Sequence, residues 1–158
     1  MKLSNPAKLI ISVLIPLCAG LIGSVFTIRS IPTWYATLMK PDLSPPGWIF
    51  APVWTALYVL MGIAAFLVWR KGLEHKGVKA ALIVFGIQLF LNTIWSIIFF
   101  GLQNPFWAFI DIIALWLAII ANIIYFRRIS YTCAFLLLPY LIWVSFASYL
   151  NYSIWTLN

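Results

Sequence analysis

The sequence predicts an all-α membrane protein, a bundle of five transmembrane helices. Two observations carry this. First, 65% of the 158 residues are hydrophobic and only 8% are charged, where a soluble domain carries roughly 25% charged residues. Second, residues 9–28, 43–69, 80–110 and 129–158 carry no charge, and a further stretch, 105–126, is broken only by Asp111. A helix that crosses a bilayer takes about 20 apolar residues. The runs therefore place spans at about 6–28, 46–70, 78–101, 105–126 and 131–156, in one domain covering 1–158. They lack the alternating polarity of a transmembrane barrel.

The first span follows Lys2 and Lys8. Its apolar part is longer than the core of a signal peptide. It also holds Ala19-x-x-x-Gly23 and Gly20-x-x-x-Ser24, a spacing of small residues that lets helix backbones approach. Next comes the connector "WYATLMKPDLSPPGW", residues 34–48. Pro41, Pro45 and Pro46 limit its backbone, and its aromatics offer surface to pack downward. We expect a semi-rigid lid over the bundle; an ordered inter-helix loop is the plainer alternative.

Each remaining span carries a stripe at three- and four-residue spacing, hence on one helix face. The second has Ala51, Trp54, Tyr58 and Met61. The third has Gln88, Asn92, Trp95 and Phe99. The fourth has Trp107, Asp111, Ala114, Ala118 and Ala121, and the fifth Pro139, Trp143, Ala147, Leu150 and Ile154. Such stripes are often plain packing faces. Here they carry an amide, a carboxyl and several indoles, and polar groups inside a membrane face the bundle interior and often mark a site. Asp111 is open to a structural or a functional reading. With a rise of about 1.5 Å per residue, Trp54, Asn92 and Trp95 lie roughly 9–14 Å below one end of their helices. Trp107 and Asp111 open the fourth helix at that end. The candidates thus gather in one half of the bilayer, beneath the connector. Trp34, Trp48, Trp69, Trp107 and Trp155 also suit an interfacial aromatic belt.

Charge orients the chain. Lys2, Lys8, Arg70, Lys71, Lys76, Lys79, Arg127 and Arg128 fall on one side, and Arg29 and Lys40 on the other. The positive-inside rule then sets the N-terminus in the cytoplasm and the connector and C-terminus outside, in the cytoplasmic membrane of a bacterium. The net charge of +7 reads as topology; with no basic soluble domain, no nucleic-acid partner is expected. Cys18 and Cys133 read as buried small apolar residues. His75 sits in a charged loop, and there is no metal-ligand cluster, Ser-His-Asp set or carboxylate pair. No metal and no resident cofactor are expected.

The segments "WYATLMKP", "PPGWIFAPVWTALY", "QLFLNTIWSIIFF" and "PYLIWVSFASYLNYSIW" together resemble the motifs of the TspO/translocator protein family, the tryptophan-rich sensory proteins or peripheral benzodiazepine receptors. The resemblance runs in order from about residue 30 to the end of the chain. It implies a five-helix bundle, often a homodimer, that binds porphyrins and isoquinoline- or benzodiazepine-type ligands under the first loop. Carried over by motif, the ligand-binding residues are Ala51 and Trp54, Asn92 and Trp95, and Trp143, Ala147 and Leu150, with Trp107 and Ala114 on the fourth helix and Tyr58 on the Trp54 stripe. A C-terminal sterol motif of the family needs a basic residue after its tyrosine. This chain has Leu150 and Tyr152 but ends "SIWTLN", which weakens the case for sterol.

Three classes of function follow. The first is a receptor-like or transport protein for tetrapyrroles, with porphyrin as ligand. The second is an enzyme that degrades protoporphyrin oxidatively, with light, through Trp54 and Trp143. The third is a regulatory membrane adaptor. The visible aromatic stripes and the lack of proton-transfer groups favour the first.

Overall fold

The computed structural model describes residues 3–158, so the contribution of Lys2 to the charge asymmetry lies outside the described residues. Among them, five helical segments are long and apolar enough to cross a membrane: Asn5–Ser30, Gly47–Trp69, Val78–Gly101, Pro105–Arg127 and Tyr131–Leu157. The expected all-α five-helix bundle is the fold, and each boundary falls within two residues of its expected place.

The first helix, α1 (Asn5–Ser30), starts where Ser4 caps it: Ser4 Oγ accepts from Ala7 N at 3.5 Å, with Pro6 in the first turn. Proline suits that position because its missing N–H would have no helical partner there. After α1 the connector forms a short helix, α2 (Trp34–Thr37), and a 3-10 turn (Gly47–Ile49) leads into α3 (Phe50–Trp69).

Glycine sets how closely α1 and α3 approach. A Cβ on Gly62 would lie 2.6 Å from Val13 Cα and 2.8 Å from the Ser12 carbonyl oxygen. Both are backbone atoms, so neither can step aside. The expected small-residue face of α1 is also used: Gly20 lies against the Tyr58 ring, and Gly23 against Ser96 of α4 (Val78–Ser96). Cys18 is different from expectation. It is exposed on α1, whereas Cys133 is buried, and both are free. The phase that turns Gly20 and Gly23 inward turns Cys18 out.

The third span ends in a π-turn, Ile97–Gly101, in which Leu102 N donates to the Ile97 carbonyl at 2.8 Å. The extra residue per turn brings both Phe99 and Phe100 into the interior, against Tyr35. The chain reverses at Gln103, whose φ is 52°. Asn104 then caps α5 (Pro105–Arg127), accepting from Trp107 N at 3.1 Å.

The expected inward stripe of this helix is out of phase. The buried residues are Ala108, Ile112, Leu115, Ile119, Asn122 and Phe126. Trp107 is 59% exposed and Ala114 is exposed as well. Aligning the stripe on Asp111 rotates it by one residue, about 100°. The polar residue that does face the interior is Asn122.

The fifth span is two helices rather than one: α6 (Tyr131–Phe135) and α7 (Leu138–Leu157). Pro139 explains the break, since it lacks an N–H to donate and its ring would strike the carbonyl four residues back. In packing order, α1 lies against α3 and α4, α4 against α5, and α5 against α7. The second and fifth spans approach closely at α6. Further along they meet through aromatic side chains, Trp54 on Tyr140 and Phe50 on Trp143.

Candidate functional site

In the connector half a cavity of about 440 Å³ lies between α1, α3 and α4. Trp54 and Tyr58 of α3 supply its aromatic wall, stacked with centroids 5.6 Å apart and planes 28° from parallel. Trp95 and Phe100 close the α4 side, and Gly20, Gly23 and Thr27 line the α1 side. The small α1 residues leave room that larger side chains would fill. At its rim, Leu21, Ile28, Ala51 and Thr55 are exposed, so the cavity opens sideways between α1 and α3, toward the hydrocarbon of a bilayer.

A buried hydrogen-bond chain fixes the wall from behind. Tyr58 O–H donates to Asn92 Oδ1 at 2.6 Å, and Asn92 Nδ2 donates to the Tyr140 hydroxyl oxygen at 2.9 Å. Asn92 is 2% exposed and Tyr140 1%. In a dry interior, an amide between two phenols satisfies groups that would otherwise stand unpaired. Trp95 is held in the same way: its Nε1 donates to Asn151 Oδ1 at 2.9 Å, and Asn151 Nδ2 donates to the Pro105 carbonyl at 2.7 Å. Its ring stacks on Phe99 at 5.1 Å.

The connector covers this half. Tyr35 is buried, edge-on to Phe50 and Phe100, and burial pushes its hydroxyl pKa above the ordinary tyrosine value. The Lys40 ammonium lies 4.8 Å from the centre of the Tyr35 ring and donates to the Leu38 carbonyl at 3.1 Å. Asn158 ties the far end of α7 to the connector: its Oδ1 accepts from Met39 N, and its Nδ2 donates to the Met39 carbonyl, both at 3.0 Å. Ile31, Gly47 and Phe50 reach the cavity itself.

The residues named from sequence thus fall into three places. Ala51, Trp54, Tyr58 and Trp95 line the cavity, with Asn92 directly behind Tyr58. Trp143, Ala147 and Leu150 lie outside its lining. Trp143 stands behind Phe50, edge-on at 6.3 Å, and its buried Nε1 has no hydrogen-bond partner. Ala147 and Leu150 are 8% and 5% exposed, packed into the bundle. Trp107 and Ala114 line a separate groove with Asp111. Sequence reasoning passes over Gly20, Gly23 and Thr27 as cavity wall, and over Tyr140 and Asn151 as the groups that hold the wall. Asn151, an amide inside an apolar span, carries the same signal as Asn92. Among the described residues no group of three or more His, Cys, Asp or Glu could hold a metal ion.

The family model of the TspO/MBR family matches residues 12–156. The chain belongs to that family. It is 48% identical to the tryptophan-rich protein TspO of Archaeoglobus fulgidus over 155 residues, 98% of this chain and 99% of the other. It is 38% identical to the translocator protein of Homo sapiens over 147 residues, covering 92% and 86%. It is also 38% identical to the tryptophan-rich sensory protein of Cereibacter sphaeroides over 125 residues, covering 79% and 77%. TspO/MBR membership and the five apolar helices make this a multi-pass integral membrane protein.

Proposed function

We propose that this protein binds flat, hydrophobic aromatic molecules, porphyrins among them, in the cavity between α1, α3 and α4. The observation that carries this reading is the Trp54–Tyr58 stack, which presents an ordered aromatic face to a cavity open on the bilayer side. Its volume of about 440 Å³ suits a small drug-sized aromatic. A macrocycle larger than that would stand with one edge in the lateral opening. Stacking against aromatic rings adds about 0.5–1.5 kcal/mol per pair beyond burial. Isoquinoline- and benzodiazepine-type compounds share the same requirement for a flat apolar face.

Recognition then reads shape rather than iron. The single histidine, His75, lies in the loop between α3 and α4, outside the spans, so no axial imidazole reaches a bound haem. Metal-free protoporphyrin should bind about as tightly as haem. The test is a titration of protoporphyrin followed by quenching of tryptophan fluorescence, for the wild-type protein and Trp54→Ala. Weaker binding in the variant supports the cavity; equal binding moves the site elsewhere. Absence of new pigments from an illuminated mixture of pure protein and porphyrin would favour a binding role over catalysis. The N-terminus belongs in the cytoplasm on this reading, because Lys8, Arg70, Lys71, Lys76, Lys79, Arg127 and Arg128 cluster at the end opposite the connector.

A further inference from the structure

Asp111 is the one acidic residue within the five spans, and the cavity described above does not use it. It lines a separate groove of about 400 Å³ on the outer surface of the bundle, where the π-turn meets the start of α5. Its Oδ2 is shielded by the surrounding protein and has no hydrogen-bond partner. The ion pair found among the described residues, Lys79 with Glu74 at 3.9 Å, is at the other end of the molecule. A carboxyl group set against hydrocarbon with neither a donor nor a cation is expensive. A proton can neutralise it, or a cation from outside the chain can pair with the part of the carboxyl group that lines the groove.

We propose that this groove binds the ammonium group of a lipophilic amine that enters from the membrane. Three features define the chemistry. Asp111 supplies the charge. Trp107, 59% exposed on the same groove, supplies an aromatic face of the kind that attracts cations. Ile98, Leu102 and Ile110 supply an apolar track for a hydrocarbon tail.

Depth selects among cations. Asp111 follows Pro105, the first residue of α5, by six positions, which places it roughly 9 Å along the helix. A zwitterionic phospholipid headgroup would bring its phosphate down beside the carboxylate, where like charges repel. A simple amine has no such anion. A cation from a second copy is also poorly placed. Lys40 is engaged with Leu38 and Tyr35, and Arg29 sits in the last turn of α1, at the level of the connector rather than one and a half turns below it. A divalent metal ion would find a single carboxylate.

The test uses two photoreactive probes with the same chain, a diazirine-bearing dodecylamine and the matching dodecanol. Each is added to the full protein in nanodiscs of neutral lipid, and the labelled residues are mapped by peptide sequencing. The amine should label residues around 98–114, competed by unlabelled dodecylamine and not by protoporphyrin. Dodecanol should label them roughly tenfold less, the scale of one hydrogen bond to a charged group. Asp111→Asn keeps the shape and should reduce amine labelling to the alcohol level. Ala114→Leu, at an exposed position on the groove, should do the same by filling it, and it keeps the test alive if Asp111→Asn fails to fold. Equal labelling by the two probes, or unchanged amine labelling in either variant, overturns the proposal. So does competition by protoporphyrin, which would assign the groove to the main cavity, or by phosphatidylethanolamine, which would assign it to a lipid headgroup. A shift from dimer to monomer in Asp111→Asn would make the groove an interface between copies, and the proposal would fail on that outcome too.

Discussion

The two halves of the bundle are built on different rules. In the half away from the connector, Met61, Ala64, Val68, Val78, Ala81, Ile119, Phe126 and Leu137 are all 0% exposed. They are mostly aliphatic and small, and the helices close directly on one another. In the connector half the interior is Trp54, Tyr58, Trp95, Phe99 and Phe100, with hydrogen bonds running through Asn92 and Asn151. Large rings hold backbones apart and need polar partners to keep them in place. One half is packed to hold the fold; the other gives up close packing for an open, ordered surface. Variants that damage stability and variants that damage binding should therefore separate along the helix axis.

The largest effect belongs to the tightest crossing. Gly62→Ala forces a methyl against the backbone of α1 at 2.6 Å, and overpacking against groups that cannot move costs about 3 kcal/mol. Gly86→Ala on α4 meets nothing within 4 Å and should be neutral or stabilising by up to about 1 kcal/mol, because alanine favours the helix. Thermal unfolding in detergent measures both. A similar melting temperature for the two variants would show that the α1–α3 contact does not govern stability.

The boundary between the halves comes next. Asn92→Ala strands the Tyr58 and Tyr140 hydroxyls in a dry interior, at a cost of about 2 kcal/mol. It also frees the Tyr58 ring to leave its stack with Trp54, so porphyrin affinity should fall with stability. Asn92→Asp supplies an acceptor to both phenols and should recover part of both losses. If Asn92→Ala lowers stability while affinity stays intact, the hydrogen-bond chain does not position the wall.

Much of this architecture is legible in the order of the residues. Length and hydropathy place five spans, because a bilayer imposes nearly one length on any helix that crosses it. The α3 and α4 stripes lead to Trp54, Tyr58, Asn92 and Trp95, because amides and phenols in hydrocarbon have few places to go but inward. Periodicity misleads where one strong residue sets the phase. Asp111 pulls the α5 stripe outward, although Asn122 faces the interior from the same helix. It also misleads where a wall is made of what is missing. Gly20 and Gly23 announce close packing, and only the neighbouring helices decide whether the space they leave is filled or kept. The Pro139 break is readable in principle, since a proline within an apolar run ends or kinks a helix.

A sharper comparison uses two alanines that the family motifs place together. Ala51 lines the cavity at its exposed rim, while Ala147 is 8% exposed within the bundle. Ala51→Phe should fill the cavity and weaken porphyrin binding by roughly tenfold or more, with a near-normal melting temperature, since it adds bulk where there is space. Ala147→Phe should cost about 1–3 kcal/mol of stability, the penalty for overpacking. Equal stability of the two variants would mean that α7 also borders open space, and the cavity would extend behind Phe50.

The smallest effect tests that partition most directly. Trp143 packs against Phe50 and Phe146, and its buried N–H donates to nothing. An unpaired buried donor is a cost the folded protein already carries. Trp143→Phe removes that donor and keeps an aromatic ring against Phe50, so the relief offsets the lost volume and stability should change by less than about 1 kcal/mol. With Phe50 standing between Trp143 and the cavity, porphyrin titration should give the wild-type affinity. If instead the affinity drops while the melting temperature holds, the indole N–H reaches bound ligand. Phe50 would then have to swing aside when the cavity fills, and the free donor of Trp143 would be a group held in waiting for the ligand rather than a flaw in packing.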